Sequence, residues 1–357
     1  MVTRRTATST TAAVLLAALV AVALLLPVPY VTMRPGPTRN VLAMAADGDA
    51  RVVSINGRRT YPTSGSLRMT TVSVTSPDDS IGIGEAVRAW LSPDEAVLPR
   101  SSVYPETQTA EEAQEESAMQ MVASQEVAVA AALRLLGEPV DESAEVVAVD
   151  PEGPADGVLQ PGDVIVAVDG EAPRSATAAI DAIRDRSVGD DVELTVRRGE
   201  SEKTVTLTTI ESPPDDNGDT FPLVGVTPGV FYDLPVDVQI NLPKNIVGPS
   251  AGTIFALAIY DSLTPGPLLE DASVAGTGEI TANGKVGPIG GIQQKIVGAL
   301  DAGATTFLVP GANCAEALGA SVEDGEIRLV RIDDLSGAVD ALEALAENPD
   351  AEVPECG

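Results

Sequence analysis

The sequence predicts an α/β protein in which two folded parts follow a single apolar N-terminal helix. Three observations carry that reading. Residues 12–31 form a run of about twenty mostly apolar positions with Arg4 and Arg5 ahead of it, long enough to span a bilayer. Residues 145–210 alternate short strand patterns with Gly/Pro turns around one short helix, as a small mixed-β unit does. From residue 236 a strand leads into an apolar stretch of helical length at 251–263, the pattern of a buried α/β core.

Composition narrows the chemistry. A length of 357 residues leaves room for two or three domains, and 44% apolar with 21% charged residues is ordinary for a folded chain. The net charge of −31 is not ordinary. It repels nucleic acid, so no nucleic-acid partner is expected. The chain has no histidine, which excludes Ser-His-Asp triads, Cys-His dyads and HExxH zinc sites. No metal and no cofactor are expected. The two cysteines, Cys314 and Cys356, permit one disulfide in an exported chain.

The elements follow in order. No charged residue occurs between Thr6 and Met33, and Pro27 and Pro29 lie near the outer end of the apolar run. Ala43-Met44-Ala45 is too far downstream for ordinary signal cleavage, so an uncleaved transmembrane anchor is expected at 11–33, with 1–10 cytoplasmic. Arg34 and Arg39 balance Arg4 and Arg5, so orientation rests on the habit of N-terminal anchors with long following domains. That habit predicts a single-pass protein of the cell membrane with its catalytic part outside the cytoplasm. Within 34–137, strands are expected at 51–55 and 67–75, a short helix at 82–91 and one long helix at 109–136, stopped by Gly137. A second unit is expected at 138–212, a polar hinge at 213–220, the main catalytic half at 221–346 and a loose acidic tail at 347–357.

The residues that would carry chemistry are few. Ser250 precedes the apolar helix-length run, where a serine commonly serves as a helix cap. The same place offers free N–H groups and a positive dipole end, which suit an oxyanion. With histidine absent, lysine is the leading base. Of the four lysines, Lys203 and Lys285 fall in polar turns, and Lys244 lies in a loop near Ser250 as a reserve candidate. Lys295 falls on a helix with Ile292 and Ala299 three residues before and four after it, beside the buried face. An unperturbed lysine is only about 0.04% neutral at pH 7. Burial lowers its pKa and makes a usable base.

Two sets of motifs resemble known families. Gly162-Asp163-x-Ile165-x-x-Val168-Asp169-Gly170 resembles PDZ domains. That resemblance implies a groove between the 146–149 strand and the 176–185 helix which pairs an extended peptide; the family's carboxylate-binding loop should lie near 137–140, where its motif is not recognisable. Gly248-Pro249-Ser250-Ala251-Gly252, Gly276-Thr277-Gly278-Glu279-Ile280-Thr281 and Pro288-Ile289-Gly290-Gly291-x-x-x-Lys295 resemble the proteolytic domain of the Lon protease family over 236–346. The resemblance implies Ser250 as nucleophile, Lys295 as general base and Thr277 holding the lysine. Ala251 would open the oxyanion-binding helix, and Gly248 and Gly252 would admit a substrate backbone. Glu279 and Asp271 are weaker candidates for supporting carboxylates. Val247 stands where the family usually has an acid, and Thr253 where an apolar residue is more typical.

Lon enzymes join this domain to an ATPase module. No Walker A sequence occurs here; the nearest match, Gly278 to Gly284-Lys285, has the wrong spacing and no Ser/Thr after the lysine. The expected function is therefore an ATP-independent, membrane-anchored serine endopeptidase acting on unfolded proteins or accessible ends, with a PDZ unit that gathers substrate. The alternative is a binding or scaffold protein on a decayed protease fold. A homo-oligomer is compatible with either. Because residues from 221 onward are few for an independent core, the PDZ-like unit is expected as an insertion between the long helix and the hinge.

Overall fold

The computed structural model describes residues 4–45, 48, 50–105, 108–215, 217–323 and 325–357, with side chains from residue 11 onward. The chain forms two compact units. One joins Met1–Glu138 to Val236–Gly357; the other is Pro139–Pro235.

The first unit is built on a five-stranded sheet in the order Arg328–Ile332, Thr306–Pro310, Ser273–Gly276, Ser66–Met69, Arg39–Asn40. The first four strands are parallel and the last is antiparallel. Thr306–Pro310 and Ser273–Gly276 are almost wholly buried, as parallel strands covered on both faces must be. The eight helices of the described residues are α1 (Arg4–Leu24), α2 (Ile83–Leu91), α3 (Ala110–Leu135), α4 (Ala176–Arg184), α5 (Gly252–Leu263), α6 (Ile292–Asp301), α7 (Cys314–Ala317) and α8 (Leu335–Glu347). Ile292, Ile296 and Ala299 of α6 pack with Ala275, Phe307 and Val309. Ile254 of α5 approaches Gly276, the strand position that alternates with Ala275. Side chains alternate across a sheet, so α5 and α6 cover opposite faces.

Residues 27–99 are woven into this core. Ser66–Met69 pairs with Ser273–Gly276, and Val53–Asn56 pairs with Asp237–Ile240. The anchor expected at 11–33 is corrected here. α1 ends at Leu24, and Pro27–Val28 and Tyr30–Pro35 are strands, the latter between Val72–Val74 and Ala96–Pro99 with Val31 and Thr32 fully buried. Pro27 stops the helix by removing an N–H and clashing with the preceding turn. Among the described residues no helix is long and apolar enough to cross a membrane.

The tail differs as well. Residues 349–356 lie along Arg328–Ile332: Cys356 N–H donates to Leu329 O and Arg331 N–H to Pro354 O. Arg328 donates to Pro349 O, Ala351 O and Glu355. Cys314 and Cys356 are joined in a disulfide. An acidic tail reads as loose in sequence because neither its arginine partner nor its cross-link is local.

In the second unit the sheet order is Ser201–Thr208, Asp191–Arg198, Val164–Val168, Asp141–Val149, Val226–Asp233, every neighbour antiparallel. Asp163 of the Gly162-Asp163 motif is 1% exposed and takes a two-pronged bond from Arg198, at 2.7 and 2.6 Å. Asp169 and Gly170 both have positive φ, 50° and 78°, as an Asp-Gly hairpin turn demands. Two expectations are revised. Residues 213–220 are not a hinge between units: they turn between Ile210–Glu211 and Pro222–Leu223, which pair, although Asp216 lies outside the described residues. Residues 221–235 pack within this unit. The sheet edge at the groove is therefore Val226–Asp233, because the strand Asp141–Val149 that carries residues 146–149 lies between it and Val164–Val168. Gly137 merely ends α3, and α4 packs against both Asp141–Val149 and Val226–Asp233.

Candidate active site

Thr277 follows the carboxyl end of the central strand Ser273–Gly276, where α/β sheets bind ligands. Ser250 and Lys295 arrive there from opposite faces of the sheet, one ahead of α5 and one on α6.

The turn bearing Ser250 is held on two sides. Gly248 adopts a φ of 95°, and its N–H donates to Ser117 O of α3 at 2.9 Å. Ser124 Oγ, also on α3, donates to Pro249 O at 2.9 Å. From the strand side, Gly278 N–H and Thr277 Oγ1 both donate to Ser250 O, at 2.8 and 2.9 Å. Thr253 Oγ1 reaches Gly278 O and Glu279 O at 3.1 and 3.2 Å. Its departure from an apolar residue ties α5 to the same strand. The amides of Ser250 and Ala251 find no acceptor among the described residues. They stand at the positive end of α5, free to receive an oxyanion.

Lys295 is the fourth residue of α6. Gly291 starts that helix with φ 70°, and a Cβ there would stand 2.6 Å from Met33 Sδ and 2.8 Å from Val72 Cγ1. The loop before it is clamped by Asn313, whose Oδ1 accepts from Ile289 N–H and whose Nδ2 donates to Ile289 O, both at 2.9 Å. So fixed, Lys295 is 2% exposed. Its Nζ lies 2.7 Å from Ser250 Oγ and 3.0 Å from Thr277 Oγ1. Thr277, fully buried, accepts from Lys295 while donating to Ser250 O.

Burial lowers the Lys295 pKa to about 7, with the charge of Glu279 pulling weakly the other way. At that value about half the lysine is neutral at neutral pH, roughly a thousandfold more than an exposed lysine. A cavity of about 70 Å³ opens beside the pair, lined by Thr70, Thr71, Val72, Met121, Val247 and Gly248.

The structure thus brings Ser250, Lys295, Thr277, Gly248 and Ala251 together. Gly252 is corrected: it does not face a substrate, because a Cβ there would meet Ser124 Oγ at 2.8 Å and Ile280 Cγ2 at 2.9 Å. Its smallness lets α5 approach α3. Glu279 is exposed but electrostatically linked to Lys295, whereas Asp271 is exposed and takes no part. Lys244, Lys203 and Lys285 are exposed. Sequence reasoning missed Ser124 and Asn313. The spacing of Met121, Ser124, Ala128 and Ala131 marks one buried helix face, which placed Ser124 within reach of discovery. Nothing local marks Asn313.

A model of the Lon protease (S16) C-terminal proteolytic domain matches residues 225–336, and a PDZ domain model matches residues 122–209. The chain carries a Lon-type proteolytic domain and a PDZ domain. Among curated relatives, Lon protease 2 of Herpetosiphon aurantiacus is 48% identical over 81 residues, 22% of this chain and 10% of that protein. The Lon protease of Chloroflexus aggregans is 31% identical over 183 residues, 50% of this chain and 21% of that protein. The chain therefore spans about a tenth to a fifth of the relatives it matches. A solved PDZ domain, from an SdrC-like protein of Listeria monocytogenes, is 30% identical and covers 24% of this chain and 86% of its own, with a TM-score of 0.22.

Proposed function

We propose that the chain is a membrane-attached serine endopeptidase that uses Ser250 as nucleophile and Lys295 as general base, with the PDZ unit binding protein or peptide substrates. The observation that carries this reading is the 2.7 Å approach of a buried Lys295 Nζ to Ser250 Oγ. Neutral Lys295 takes the Ser250 proton as Oγ attacks the scissile carbonyl carbon. The oxyanion falls to the Ser250 and Ala251 amides. The lysine ammonium then gives its proton to the leaving amine, and the acyl-enzyme is hydrolysed by a water that Lys295 deprotonates in turn. Thr277 keeps Nζ directed at Oγ throughout.

The 357 residues hold no Walker A sequence, so the reaction proposed for this chain needs no ATP and takes chains that are already accessible. An extended substrate end would add to the Val226–Asp233 edge beside α4. Membrane attachment is supported by α1: no charged residue occurs between Thr11 and Leu24, and its leucines and valines are exposed throughout. Placement of the catalytic part outside the cytoplasm is supported by the disulfide, which persists in an oxidising compartment.

The test is hydrolysis of an unstructured polypeptide by the full chain without ATP. Cleavage is expected in wild type and absent in Ser250→Ala and Lys295→Ala, both with unchanged circular dichroism. Full cleavage by Ser250→Ala would overturn Ser250 as the nucleophile, and none by wild type would leave a non-catalytic binding protein.

A further inference from the structure

One helix of the protease unit wears its polarity inside out. On α2, residues Ile83, Val87, Trp90 and Leu91 fall within about 100° of helix circumference. In a helix resting on a core, that stripe points inward. Here Val87 is 46% exposed, Trp90 74% and Leu91 69%, while Ala89 alone is buried. The charged residues Glu85 and Arg88 lie off the stripe, and Arg88 is paired with Glu95 at 2.8 Å. Cleavage chemistry has no use for this face, which is remote in the chain from every residue of the dyad.

The position of α2 shows what covers it. The chain leaving α1 is stitched to the start of α2: Ile83 N–H donates to Leu26 O at 3.0 Å, and Pro27–Val28 pairs with Ile81–Gly82. Gly82 permits the contact, because a Cβ there would stand 2.7 Å from Leu24 O. Leu24, Leu25 and Leu26 are 45%, 79% and 51% exposed. The bare face of α2 is thus continuous with the end of a helix that is apolar all round and uncovered by protein. Such a helix calls for lipid. A second apolar element at its exit strengthens the attachment.

We propose that α2 lies in the membrane interface, parallel to the surface, with Val87, Trp90 and Leu91 at the acyl boundary beside α1. Tryptophan suits that depth, since its ring is apolar and its N–H remains with the headgroups. Arg88 is taken up by Glu95 and Glu85 adds a negative charge, so a zwitterionic rather than an anionic surface is the fitting partner for a chain of net charge −31. This inference rests on the membrane attachment proposed above.

Trp90 is the sole tryptophan, so fluorescence of the unmodified full chain reports on this site alone. The chain is mixed with phosphatidylcholine vesicles, floated, and measured with lipids brominated at shallow and deep acyl positions. The expected result is co-flotation, a blue-shifted emission, and stronger quenching by the shallow bromines. Flotation with unquenched, water-like emission overturns the α2 proposal while membrane attachment stands. Failure to float overturns both. A blue shift that appears without lipid and grows with protein concentration assigns the face to a second copy and also overturns it.

Discussion

A buried lysine is costly unless neutral, and Lys295 has its catalytic value and its thermodynamic cost from the same burial. Its pKa of about 7 means the neutral amine dominates above that pH, so hydrolysis is expected to rise with pH through about 7 and level off. The stability effect has a definite sign. An unfolded lysine stays protonated to about 10.5, so between about 7 and 10.5 the unfolded state binds the extra proton and stability rises with pH. Below about 7 the burial cost is fully present. Lys295→Met is therefore expected to be inactive yet to melt at a higher temperature than wild type at pH 6, measured by calorimetry. Thr277→Val leaves Nζ without one acceptor and Ser250 O without one donor, worth about 1–3 kcal/mol, or roughly a 5- to 160-fold loss of hydrolysis. Thr277→Ser should keep most of the activity. The dyad was legible in the sequence chiefly through the resemblance of its three motif blocks to the Lon proteolytic domain, with the absence of histidine and the apolar helix face of Lys295 in support. The clamps on it were not, since a buried asparagine such as Asn313 looks like any loop asparagine until its partner at Ile289 is known.

Among the elements, α6 and the C-terminal strap are coupled. Asn313 clamps the loop that starts α6, and the next residue, Cys314, is bonded to Cys356. Removing the cross-link with a Cys314→Ser, Cys356→Ser pair opens a loop with a sequence separation of 42, an expected loss of about 4 kcal/mol in the chain-entropy estimate. Urea denaturation measures it, and peptide hydrolysis well below the transition should persist. Asn313→Ala should slow Ser250 acylation in the full chain without altering its affinity for peptides that bind the PDZ unit. Sequence patterning located α2, α3, α5 and α6 because their periodicity is local. It misread residues 27–33, since a buried strand and a membrane span are equally apolar and only the prolines separate them. It misplaced the groove strand for a different reason. Val226–Asp233 lies far along the chain from the strand it joins, and long-range pairing leaves no local trace.

At the scale of the molecule, one folded unit interrupts another. Asp141 pairs with Asp233 at the two ends of the second unit, so the chain enters and leaves it at neighbouring points, the condition under which an insertion is tolerated. The sequence indicated the insertion through the shortness of the catalytic half, but put its exit about fifteen residues early, because a Pro/Asp/Gly hairpin resembles a linker. Replacing residues 139–235 by a short Gly/Ser bridge is expected to leave a folded protease unit that still cleaves unstructured peptides and has lost selectivity among substrate ends. A product that neither folds nor cleaves would show the units to be interdependent. The most direct measurement is the rate at which a serine-directed phosphonate labels Ser250 in the full chain from pH 5 to 9, for wild type and Lys295→Met. The predicted result is a rate that climbs through a midpoint near 7 in wild type and is lost at every pH in the variant. Equal labelling of the two, or a wild-type rate independent of pH, would contradict a Ser250–Lys295 dyad.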